Sequence, residues 1–168
     1  MAGMPRPGRV LIFPAIALIV LVLDQASKAW ARGWLTPGHE VAIINGWLWF
    51  RLARNTGAML GLLRGNNGLF AALSLLVVAA VVVLVLRGNA GGSLGIIALG
   101  AVTGGATGNL VDRVRLGSVT DFIEVHLWPT DFNLADAAIR LGVGLFVLAL
   151  LLETRRRQRA GGVSHRAG

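Results

Sequence analysis

The sequence predicts an all-α membrane protein: four transmembrane helices with a small extracytoplasmic β-sheet subdomain in the first outer loop. Three observations carry that expectation. Of the 168 residues, 55% are apolar and 14% charged, against ~45–50% and ~25% in an ordinary soluble domain. Four apolar stretches each approach the ~20 residues that a helix needs to cross hydrocarbon. Most of the cations behind the formal charge of +8 stand at the ends of those stretches. A nucleic-acid partner is not expected, because it would need a basic face on a soluble fold. The absence of cysteine excludes disulfides, thiolate nucleophiles and cysteine-based zinc sites.

The expected spans cover about 10–31, 69–86, 93–111 and 134–152, within a single domain of 1–157. The first residues, 1–8, and the tail, 158–168, read as disordered. The second span, LFAALSLLVVAAVVVLVL, carries no charge. Arg6 and Arg9 flank the first span, and Arg155, Arg156, Arg157, Arg159 and Arg166 follow the last. Positive flanks stay in the cytoplasm, so both termini are expected there, with the 87–92 turn. Segments 32–68 and 112–133 then face outward. Arg32, Arg51, Arg54 and Arg64 run against this bias. Trp30, Trp34, Trp47, Trp49 and Trp128 support it, since all five fall in or beside the outer segments and indole favours the membrane–water boundary.

The first span also has a cleavable-signal reading, with Ala29-Trp30-Ala31 as a small-x-small site. Asp24, Gln25 and Lys28 inside the would-be processing region argue against it. Asp24 and Lys28 share a helical face at i,i+4, which favours an ion pair; Lys28, a turn further out, is expected to snorkel to the interface. The outer subdomain, about 38–64, holds two β-prone runs around Asn45-Gly46, a hairpin-turn dipeptide. Alternation sends Trp47, Trp49 and Arg51 to one face and Leu48, Phe50 and Leu52 to the other. In the third span Gly100, Gly104 and Gly108 form a stripe for close helix approach.

Ionisable groups at membrane depth are costly and are functional candidates. Four of the eight acids, Asp24, Asp112, Asp121 and Asp136, lie within or beside helices near the outer boundary. Two carboxylates in a poorly solvated site do not both ionise easily, so one keeps a proton. Such a pair holds a base that activates water and an acid for the other side of the reaction. Simpler roles compete. Asn133 reads as a helix cap with Asp136 at N3, and Asp112 as the partner of Arg113. Gly91-Gly92-Ser93-Leu94-Gly95 matches a serine-nucleophile pattern but joins two apolar helices instead of a strand and a helix. His39, His126 and His165 are too scattered for a zinc site. No metal and no cofactor is expected.

Five blocks, DQASK (24–28), RNTGAMLG (54–61), GGATGNLVDR (104–113), VTDFIEVH (119–126) and FNLADAAI (132–139), resemble in order and spacing those of bacterial lipoprotein signal peptidase, signal peptidase II. The resemblance implies an aspartyl endopeptidase of the cytoplasmic membrane, with its active site at the outer face. Its substrate would be a diacylglyceryl-modified prolipoprotein, cut before the lipidated cysteine. It implies a catalytic pair at Asp121 and Asp136, with Asp24, Asn55, Asn109, Asp112, Arg113 and Asn133 lining or bracing the site. It also removes the cleaved-signal reading. Met59-Leu60 departs from the commoner residues of its block, which bears on contact with the substrate lipid. The partners implied are that substrate and membrane lipids, with the enzyme a monomer. The Arg-rich tail suits anionic headgroups. The competing reading is a small proton-coupled transporter or channel subunit; a non-catalytic assembly factor would leave the outer acids without a reason.

Overall fold

The computed structural model describes residues 7–57, 65–126, 128 and 130–164. Arg6, Met59, Leu60, Arg64, His165 and Arg166 lie outside the described residues. The order of elements is α1 (Pro7–Trp34), β1 (Glu40–Ile44), β2 (Leu48–Asn55), α2 (Asn67–Leu86), α3 (Gly92–Leu116), β3 (Val119–Val125) and α4 (Leu134–Ser164). All four helices are long and apolar enough to cross a membrane.

Helix α3 is the axis of the bundle. Its span is 67% buried, against 11%, 11% and 17% for α1, α2 and α4. Glycine explains why. Association in lipid relies on close packing, because lipid tails are as apolar as the side chains. The expected stripe faces α1: a methyl group at Gly100 would stand 3.0 Å from the Phe13 carbonyl oxygen, and one at Gly104 would stand 2.5 Å from that of Ala17. At Gly108 it would collide with the Asp24 carboxylate. A second close seam, toward α4, is formed by Gly105 against Ala135 and by Gly142 against Ala98 and Val102. The outer sides of α1, α2 and α4 expose Leu18, Leu76, Leu141 and their apolar neighbours, as helices do when they face lipid.

The three strands form one antiparallel sheet in the order β1-β2-β3. Asn45 and Gly46 centre the β1–β2 turn, closed by the Trp47 amide on the Ile44 carbonyl at 2.9 Å, with Gly46 at φ +79°. The alternation holds. Phe50 and Leu52 pack with Ile123 against buried Ala31, Leu35 and Phe122, while Trp47 and Trp49 lie beside His126 on the other face.

Two features differ from the sequence reading. The sheet takes its third strand from the segment before α4, not from the first loop alone. Strand β3 alternates weakly, because its first four residues, Val119 to Phe122, are all buried. In addition, α3 continues to Leu116, past the expected end near 111, and α4 stays helical to Ser164 where disorder was expected from 158.

Candidate active site

Five elements meet where the sheet caps the bundle: the second half of α1, the end of β2, the end of α3, the start of β3 and the first turn of α4. Burial of so many polar groups is tolerable only when each finds a partner, and a continuous network supplies them. Asn133 caps α4 as the sequence suggests, its Oδ1 accepting the Asp136 amide at 2.9 Å. The cap is not its only role. Asn133 Nδ2 donates to Asp121 Oδ1 at 2.7 Å, and Asn55 Nδ2 donates to Asp121 Oδ2 at 3.0 Å. Asp136 does not reach back over the cap. Its Oδ1 accepts Asn109 Nδ2 at 2.8 Å. Asn133 Nδ2 also lies 3.3 Å from Asn109 Oδ1, which joins the two acids through neighbouring amides.

Asp121 is 1% exposed. Burial, joined by the negative charge of Asp136, pushes its carboxyl up to about 7, against the opposing hydrogen bonds of Asn55 and Asn133 and the charge of Lys28. A carboxyl in this state exchanges a proton near neutrality. Arg113 lies within the electrostatic reach of Asp136, Asp121 and Asp112, and its guanidinium stands 5.6 Å over the Phe70 ring.

Asp24 and Asp112 occupy a different layer. Asp24 pairs with Lys28 at 2.9 Å, as the i,i+4 spacing suggests. Its other oxygen accepts the Ala135 amide at 2.9 Å, so α1 fixes the start of α4. Asp112 turns away from its neighbour Arg113, contrary to the simplest reading. Its oxygens lie 3.7 Å from Lys28 and 3.8 Å from Arg32, and accept the Thr120 amide at 2.9 Å. The reason is geometric: consecutive helical side chains do not face each other, and Asp112 is on the α1 side of α3.

Lys28 corrects the sequence reading most. It does not snorkel; it is fully buried, with Nζ 2.9 Å from Asn109 Oδ1 as well as from Asp24. Its presence inside an apolar helix signals that oxygens must wait for it, but the sequence does not say which. Ser93, at the start of α3, stands roughly 24 Å from Asn109 by helical rise, remote from all of these groups. Among the described residues no group of three or more His, Asp or Glu side chains is placed to hold a metal ion.

The sequence profile described as Signal peptidase (SPase) II matches residues 16–152. The chain is 40% identical to a lipoprotein signal peptidase of Syntrophomonas wolfei over 142 residues, 84% of this chain and 94% of that one. It is 39% identical to one of Pseudomonas aeruginosa over 159 residues, 89% of this chain and 91% of that one. A solved bacterial membrane enzyme superposes with a TM-score of 0.76 at 30% identity, over 92% of this chain and 94% of that one. The fold, the polar cluster and the extent of these matches agree: the chain belongs to the signal peptidase II family.

Proposed function

We propose that Asp121 and Asp136 form the catalytic pair of this peptidase. The family cleaves signal peptides from prolipoproteins, and the hydrolysis needs a base for water and an acid for the peptide carbonyl. The observation that carries the reading is the pair's shared setting. Each acid is held by asparagine amides, and Asp121 is raised to about 7 by burial and by Asp136. Four acids, Asp24, Asp112, Asp121 and Asp136, sit with three cations, Lys28, Arg32 and Arg113. One proton on the pair brings the charges of this cluster to zero.

In the forward direction the ionised member takes a proton from water as the oxygen attacks the scissile carbonyl carbon, and the protonated member hydrogen-bonds the carbonyl oxygen. A proton returned to the leaving amine then releases the two peptides. Arg113 stays charged at any ordinary pH and balances the cluster rather than acting as a base.

The site lies at the outer face of the bacterial cytoplasmic membrane, with both termini inside. The Arg155, Arg156 and Arg157 run at the opposite end of α4 and the Trp30, Trp34 and Trp128 group near the sheet support this orientation. A diacylglyceryl group on the substrate's cysteine stays in the outer leaflet and positions the adjacent bond, so that remote binding energy serves orientation. The transporter reading is not favoured: the acids gather at one end of the bundle, and glycine packing closes α3 against α1 and α4 below them. The test is cleavage by purified protein in lipid of a diacylglyceryl-modified prolipoprotein and of its unlipidated form. Cleavage of the lipidated form alone is expected; equal cleavage of both removes the lipid from the mechanism.

A further inference from the structure

Lys28 has more partners than a counter-ion for Asp24 needs. Asp24 already receives Gln25 Nε2 at 3.1 Å and the Ala135 amide at 2.9 Å. Lys28 Nζ, fully buried, also donates to Asn109 Oδ1 at 2.9 Å. An asparagine amide has an accepting and a donating end, whereas a lysine head has three donors and no acceptor. The end of Asn109 that faces Lys28 must be the oxygen, since the reverse sets donor against donor. The NH2 is thereby directed at Asp136 Oδ1 at 2.8 Å.

The other two asparagines are held in the same way. The Asn133 oxygen accepts the Asp136 amide, leaving its NH2 for Asp121. The Asn55 oxygen accepts the Gly57 amide at 3.0 Å, leaving its NH2 for the other oxygen of Asp121. Two of these three locks are backbone N–H groups. The third is the Lys28 side chain at 2.9 Å, with Asn133 Nδ2 a longer second donor to the same oxygen at 3.3 Å.

We infer that Lys28 is a positioning residue: by holding the Asn109 oxygen it turns the Asn109 NH2 onto Asp136 and fixes that carboxylate for reaction. This rests on the assignment of Asp121 and Asp136 as the catalytic pair. Lys28 touches neither acid: its charge reaches Asp121 through space, which both variants below remove alike, and its hydrogen bond reaches Asp136 through Asn109. Substrate binding is largely remote from it, and its loss should appear in kcat and not in KM.

Replacing Lys28 alone leaves Asp24 buried without its cation, which threatens the fold. Two double variants avoid this: Asp24→Asn with Lys28→Met, and Asp24→Asn with Lys28→Gln. Both are charge-balanced, but only Gln keeps an N–H donor for Asn109. Steady-state cleavage of a diacylglyceryl-modified prolipoprotein peptide, at matched melting temperature, is the readout. The Met variant is expected to lose about ten- to hundredfold in kcat, the scale of one hydrogen bond to a charged group, with KM within about twofold. The Gln variant is expected to recover a large part of that loss. Equal kcat for the two variants, or a loss that merely follows the folded fraction, overturns the inference. Asp121→Asn and Asp136→Asn are assayed in parallel. If either cleaves at the wild-type rate, the catalytic pair itself is wrong; if both are inactive while Met and Gln match, Lys28 alone loses its role.

Discussion

Asp24 and Asp112 are as deeply buried as Asp121, yet the two layers of acid are partnered in opposite ways. The bracing layer is tied to cations, Lys28 and Arg32, and to the backbone amides that begin α4 and β3. The proposed catalytic layer, Asp121 and Asp136, is hydrogen-bonded by neutral asparagine amides. A cation in contact favours the charged form of a carboxylate more strongly than a neutral amide does. On the proposed assignment the difference separates holding from reacting: the first layer joins α1 to α4 and α3 to β3, and the second carries the chemistry.

The comparison breaks most sharply under isosteric replacement of the second layer. Asp121→Asn and Asp136→Asn are each expected to lower kcat by about 10²–10⁴-fold, the range of a general acid or base, with the helices still assembled by circular dichroism. Near wild-type turnover in either variant would remove that residue from the mechanism. Asp121 also has a stability signature. Its carboxyl is raised from 3.8 to about 7, so between those pH values the folded state binds the proton that the unfolded state has released. Stability from this group falls as pH rises through that window and is flat outside it. Melting temperatures across pH 4–8 should show Asp121→Asn losing that decline relative to wild type.

The bracing layer answers differently. Asp24→Ala leaves Lys28 only its longer carboxylate contact, with Asp112 at 3.7 Å, and the Ala135 amide without an acceptor, and breaking a buried pair costs about 3–5 kcal/mol. Asp24→Asn keeps an oxygen for Ala135 and should melt between that variant and wild type. The order of melting temperatures, measured in the same detergent, checks this. Reversed order would mean that Asp24 is not anchoring α4.

A smaller effect tests the amides. The Asn55 hydrogen bond favours the ionised form of Asp121, so its removal raises that carboxyl further. For Asn55→Ala the alkaline limb of the kcat/KM profile should move to higher pH than in wild type. A limb that moved down, or not at all, would mean that Asp121 does not set it.

How much of this was legible in the sequence follows from the range of the forces involved. The helices, the hairpin alternation and the stripe of Gly100, Gly104 and Gly108 are local patterns, and they emerged with their faces right. The ends of α3 and α4 were placed too early, because polar Asp112 and Glu153 end a hydropathy signal without ending a helix. Strand β3 was missed because its burial on both faces hides the alternation. The asparagines entered by resemblance to family blocks, whereas periodicity offered only a cap at Asn133. Lys28 was misread for a physical reason: snorkelling and burial begin from the same side chain, and the choice depends on Asn109 and Asp112, which lie some eighty residues away in α3.

The least disruptive variants separate packing from chemistry along the α1–α3 seam. A methyl group at Gly104 meets the Ala17 carbonyl and Val20, both apolar-layer contacts. Overpacking there costs about 1–3 kcal/mol and should lower the melting temperature while turnover per folded molecule stays near wild type. At Gly108, one turn nearer the sheet, the same methyl displaces the Asp24 carboxylate, and with it the anchor of α4 beside Asp136. Gly108→Ala should therefore lose turnover as well as stability. Gly144→Ala supplies the baseline, because nothing lies within 4 Å of its added carbon and alanine suits a helix interior better than glycine by about 0.5–1 kcal/mol. It is expected to melt no lower than wild type and to cleave at the same rate. If Gly104→Ala and Gly108→Ala lost turnover equally, relative to Gly144→Ala and after correction for folded fraction, the boundary between a packing half and a reacting half would not exist.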